Sequence, residues 1–183
     1  YPPAGWSDGG EPVRVPDAEV VATAYRQAVR TFAETQMGPQ ADRLRRQIDS
    51  ASDPSRLWNR LGVLYARYGL LEEARRAFEK ALAAGPYAPA LANLGNLSFL
   101  GEDYRAALEL YEKARAAGTT GQTDATVLLG LARASWELRE YARARSYYGE
   151  LAQSSPEIGT EFGYLASAGD GSARASPRST VAS

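Results

Sequence analysis

The sequence predicts an all-α fold of stacked antiparallel helix pairs. Two observations carry that prediction. Apolar residues recur at helical spacing in one segment after another. In addition, one pattern of small and aromatic residues returns at a shift of 33 residues and again at 37. Helix breakers punctuate the segments at Gly38-Pro39, Asp53-Pro54, Pro86, Gly118 to Gly121 and Pro156.

Composition narrows the function classes. At 44% hydrophobic residues the chain has enough apolar surface to bury a core. No apolar run approaches the ~20 residues of a membrane-spanning helix. A net charge of -1 gives no overall electrostatic footprint for nucleic acid or anionic lipid. Cysteine and histidine are both absent, which removes disulfides, thiolate chemistry, the usual zinc sites and the Ser-His-Asp arrangement. The carboxylate pairs Glu72-Glu73 and Glu102-Asp103 sit at helix starts or exposed faces, where they complement helix dipoles. No catalytic residue, metal ligand or cofactor is therefore assigned. The opening Tyr1, with no signal segment after it, reads as a mature or excised fragment. The compartment stays open between cytoplasm and a bacterial periplasm or cell envelope.

Along the chain, residues 1–16 are dense in Pro and Gly and read as an extended linker or flap. Asp17 is placed to cap a helix that carries Val21, Tyr25, Ala28 and Phe32 on one apolar stripe. Gly38-Pro39 is expected to break or sharply kink that helix, and a second stretch with Leu44 and Ile48 follows. Residues 17–52 are thus a degenerate repeat or an N-terminal hairpin cap, of which the cap is preferred.

Asp53-Pro54-Ser55 begins the array proper, because Pro in a first helical turn sacrifices no needed hydrogen bond. The first unit, 53–87, contains Trp58, Leu61, Gly62 and Tyr65, then Ala74, Phe78 and Ala81, and stops at Pro86. A shift of 33 brings Gly62 onto Gly95, Ala74 onto Ala107, Phe78 onto Tyr111 and Ala81 onto Ala114, giving a unit with a trailing loop at 88–123. A shift of 37 brings Ala107 onto Ala144 and Tyr111 onto Tyr148, giving the unit 124–156. This places Ala132 where Gly95 stood; Gly130 offers a competing register for the first helix alone. The additional residues fall in Gly118 to Thr123, a polar loop by composition. Ile158, Phe162 and Leu165 suit a C-terminal capping helix over 157–166, weakened by Gly159 and Gly163. Residues 167–183 have little to bury and read as a disordered tail.

The spacing Trp58-x2-Leu61-Gly62-x2-Tyr65, Ala74-x3-Phe78, Ala81, Pro86 resembles the tetratricopeptide repeat signature, and the resemblance covers roughly residues 53–156. It implies a right-handed superhelix of about three repeats, with an N-terminal helical cap and a short C-terminal helix. The glycines and alanines let paired helices approach closely, while Trp58, Phe78 and Tyr111 fill the layers between them.

Family members usually hold a peptide in the concave groove lined by the first helix of each pair. Carried onto this sequence, the groove candidates are Arg56, Asn59, Arg60, Val63 and Arg67 in repeat one. Repeat two offers Asn93, Asn96, Phe99 and Leu100, and repeat three Leu129, Arg133, Trp136 and Glu137. Asn can both donate to and accept from a peptide backbone, and Arg favours an acidic peptide or a terminal carboxylate. Exposed aromatic groups often mark binding sites; the competing reading of Trp136 is that it packs under the cap. The family subset that clamps chaperone C-termini is matched only at Asn93, so that role is not assigned. The expected partner is a protein or peptide, without nucleic acid or membrane insertion. Other readings are an accessory domain of a larger bacterial enzyme or of a transport or envelope assembly, and a self-associating homo-oligomer.

Overall fold

The computed structural model describes residues 17–167. The expected flap at 1–16 and the tail beyond Ser167 lie outside the described residues. Among the described residues every regular element is helical. They fall into two units that divide after Pro39.

The second unit contains three packed helix pairs. They are α2 (Ser55–Arg67) with α3 (Leu71–Ala81), α4 (Ala88–Leu100) with α5 (Tyr104–Ala116), and α6 (Gly121–Glu137) with α7 (Tyr141–Ser154). The second helix of each pair also packs on the first helix of the next, α3 on α4 and α5 on α6. First helices touch one another in turn, α2 with α4 and α4 with α6. This is the stacking of a helical repeat.

The tight turn within each pair has one chemistry. Gly69, Glu102 and Arg139 adopt left-handed φ of 72°, 61° and 61°. The following N–H then reaches back into the helix just ended: Leu70 to the Tyr65 carbonyl at 3.0 Å, Asp103 to Ser98 at 3.0 Å, and Glu140 to Ser135 at 2.8 Å. These are Schellman closures, which satisfy carbonyls that a helix end otherwise leaves unpaired. The three left-handed residues are spaced by 33 and 37, so Ala132 occupies the place of Gly62 and Gly95.

The longer second interval has a structural cause. α6 has 17 residues where α4 has 13, so the insertion is one additional helical turn. The polar loop expected at Gly118 to Thr123 is accordingly shorter than its composition suggests, and Gln122 and Thr123 are helical. The Thr119 hydroxyl donates to the Asp124 carboxylate at 2.5 Å, fastening the loop to the first turn. Asp124 there also complements the positive end of the helix dipole.

α1 (Ala18–Ser50) corrects the expected break, since the helix is continuous with Pro39 inside it. Proline's fixed φ is itself helical, and the backbone bond forfeited is the one to the Thr35 carbonyl. Thr35 is exposed, so water can take that carbonyl. The cost is still about 3 kcal/mol for a helix interior. The apolar stripe expected on this helix is exposed, at 49% for Val21, 69% for Tyr25 and 61% for Phe32. In residues 40–50, by contrast, Ala41, Leu44 and Ile48 are buried, and the Arg45 guanidinium donates to the Tyr65 hydroxyl at 2.8 Å.

The C-terminal cap is two short pieces, α8 (Pro156–Glu161) and a 3-10 helix (Gly163–Ser167), where one helix over 157–166 was expected. Gly159 is what allows α8 to lie on α7: a Cβ there would sit 2.8 Å from the Ala152 Cα. The Tyr148 hydroxyl donates to the Gly159 carbonyl at 2.9 Å, and Leu165 is fully buried.

Candidate functional site

A cavity of ≈ 340 Å³ opens between α4 and α6. One wall is α4, with Asn96, Phe99 and Leu100; the facing wall is α6, with Leu129, Gly130 and Arg133. The additional turn of α6 extends that wall with Gln122, Ala125 and Thr126, and Ile158 of α8 closes one side. Tyr111 of α5 also lines it.

Tyr111 reaches this cavity from the core. Its ring packs where Gly95 and Gly130 have no side chains: a Cβ at Gly95 would lie 2.7 Å from it and one at Gly130 2.4 Å. The hydroxyl donates to the Asn96 side-chain carbonyl at 2.7 Å. That bond fixes the Asn96 amide and leaves its N–H groups to the groove. Burial pushes the Tyr111 phenol well above its ordinary range, with the nearby Arg133 charge opposing the rise. Tyr111 is therefore a neutral hydrogen-bond donor.

Arg133 lies over the Phe99 ring at 4.5 Å from its centroid, and Phe99 meets Tyr104 edge-on at 5.2 Å. Arg133 is half-buried there, and cation–π attraction counts for more than at an exposed site. It is the one cation among the described residues lining this cavity. The site offers fixed donors beside an apolar wall of Leu100, Leu129 and Ile158.

The remaining candidates are dispersed. Asn93 donates to the Asn59 side-chain carbonyl at 3.0 Å, a clasp between α4 and α2 that occupies one group on each residue. Arg60, Val63 and Arg67 line a smaller hollow of ≈ 200 Å³ with Gln40 and Leu64. Arg56 is exposed and lines neither cavity. Trp136 is half-buried, edge-on to Tyr141 at 5.5 Å and to Tyr164 at 5.4 Å, so it sits beneath the C-terminal cap. A larger hollow of ≈ 510 Å³ lies elsewhere, against Leu82, Pro86, Leu91 and Lys113.

Sequence reasoning missed Tyr111, Gly130, Gln122 and Thr126 as groove residues. The 37-residue shift carried the signal for Gly130. It sets Gly130 level with Asn93, a position assigned to the groove, and leaves a glycine there that no turn requires.

Among the described residues no cluster of three or more His, Cys, Asp or Glu could hold a metal ion, and no helix is long and apolar enough to cross a membrane. What the fold defines is a helical-repeat protein. Family models described as tetratricopeptide repeat match residues 55–87 and 94–157, together just over half of the chain. The chain belongs to the tetratricopeptide repeat family. Repeats of this family are generally protein-interaction modules and typically non-enzymatic. Among curated proteins, none matches this chain.

Proposed function

We propose that this chain is a non-enzymatic scaffold or adaptor that holds an extended segment of a partner protein along its first-helix face. The α4–α6 cavity receives one apolar side chain of that segment. The observation that carries this reading is the convergence of Asn96, Arg133 and the Leu100–Leu129–Ile158 wall on one hollow. The Asn96 amide meets a backbone carbonyl, Arg133 meets a carboxylate of the segment, and the wall takes the apolar group. A charge-assisted hydrogen bond contributes about 1.5–3 kcal/mol, so loss of Arg133 weakens binding by about tenfold or more.

The test is selection from a displayed random-peptide library on the immobilised protein. Peptides enriched on the wild type should lose at least that factor on Asn96→Ala with Arg133→Glu. They should keep it on Lys113→Glu, which alters the other hollow. Equal enrichment on all three proteins, each helical by circular dichroism, defeats the proposal.

A further inference from the structure

One place recurs in all three repeats and is filled from within the chain in only two of them. The shifts of 33 and 37 residues set Trp58, Leu91 and Leu128 level with one another, and Lys80, Lys113 and Glu150 likewise. In repeat one the Lys80 ammonium lies over the Trp58 ring, 4.4 Å from its centroid. In repeat three Glu150 accepts from Arg115 of the preceding pair at 2.6 Å, so an ion pair spans α5 and α7. Repeat two has neither device. Beside Lys113 stands Leu91 in place of the indole, and Leu82 takes the place of Arg115 without a charge to offer. α3 also packs on α4 less extensively than α5 packs on α6.

What remains there is the hollow of ≈ 510 Å³, lined by Leu82, Pro86, Leu91, Ala116 and Ala117, with Lys113 as the one charged group among its lining residues. The two filled places show which groups fit: an aromatic ring beneath a cation in one, and a carboxylate paired with a cation in the other. The open place supplies the cation alone. We propose that this hollow binds a small aromatic carboxylate, with the ring against Leu91 and Pro86 and the carboxylate on Lys113. An apolar cleft of this volume with one orienting charge has the form of a small-molecule site. Its lining is far too short for a stable protein interface, which takes about 20–30 residues a side. The ligand touches Leu82 and Pro86 of repeat one together with Lys113 of repeat two, and so ties the two repeats. The site shares no residue with the α4–α6 cavity, so it stands apart from the groove.

The test follows amide chemical shifts of the full chain by NMR during titration with phenylpropionate. The shifts should saturate at millimolar concentration, with the largest changes at Leu82, Leu91 and Ala117. Phenylpropionamide, which lacks the charge, and hexanoate, which lacks the ring, should each bind more weakly. Lys113→Glu should weaken phenylpropionate by about tenfold, an exposed pairing being replaced by repulsion. Ala116→Phe should fill the hollow and abolish saturation. Both replaced residues are exposed, so the variants keep the fold. Absence of saturation, equal binding of phenylpropionamide or hexanoate, or no loss on Lys113→Glu overturns the proposal. Changes centred on Asn96 and Leu129 put the ligand in the groove instead and overturn it too. So does a ligand-free dimer that Lys113→Glu returns to a single chain, because the hollow then belongs to a second copy.

Discussion

The ring of Tyr111 occupies the space that Gly130 leaves open, with the Gly130 backbone so near that a Cβ would lie 2.4 Å from the Tyr111 Cζ. Gly95 approaches the same ring from the preceding first helix. One side chain thus joins the packing of two successive pairs to the floor of the groove. Core and site share it, so substitutions that move the ring also move Asn96.

Replacing Gly130 with Ala should destabilise the protein by about 1–3 kcal/mol, because the pinned ring cannot yield toward Gly95. Gly149 is the control, a helical glycine in α7 with open space around it. Gly149→Ala should stabilise by about 0.5–1 kcal/mol through lower backbone entropy. For a chain of this size 1 kcal/mol moves Tm by about 2–4 °C, so thermal scans resolve the two variants in opposite directions. If both rise together, Gly130 is not a packing residue.

The helix pairs were legible because their punctuation is local. Asp53-Pro54 and Pro86 act on the residues beside them, and Gly62 and Gly95 meet Phe78 and Tyr111 as their spacing implies. The groove floor was not legible, because Tyr111 is a second-helix residue and reaches the groove only where position 130 has no Cβ. Trp136 shows the same limit: helical periodicity puts it on the concave face, while Tyr164, remote in sequence, is brought over it by α8 and the 3-10 helix. The continuity of α1 defeats a local rule, since Gly38-Pro39 is a breaker by composition and is helical here.

The left-handed turn residues supply a second prediction. Gly69 adopts its φ without a Cβ penalty, whereas Glu102 and Arg139 hold side chains at φ 61°. Glu102→Gly and Arg139→Gly should each stabilise by about 0.5–1 kcal/mol, the relief of strain exceeding the added freedom of the unfolded chain. Gly69→Ala should cost about 1–2 kcal/mol. Urea midpoints of the three variants decide it, and a loss of stability in both glycine variants would remove strain as the explanation.

The start of α2 gives a pH dependence with a definite sign. The Asp53 carboxylate accepts the Ser55 backbone N–H at 3.0 Å, and that bond, with a second from the Ser55 side chain, holds its pKa below the ordinary 3.8. A carboxylate with a depressed folded pKa stabilises fully above its unfolded pKa and loses that contribution as pH falls through the folded value. The negative charge at the helix start adds to the effect in the same direction. Wild type should therefore exceed Asp53→Ala in urea midpoint by a constant margin above about pH 5, and the margin should shrink toward pH 2. Asp53→Asn separates charge from hydrogen bonding, because Asn caps as well as Asp but does not titrate there. Its midpoint should carry no such acid loss from this site. A margin between wild type and Asp53→Ala that is unchanged from pH 7 to about pH 2 would show that the ionised carboxylate contributes nothing to starting this helix.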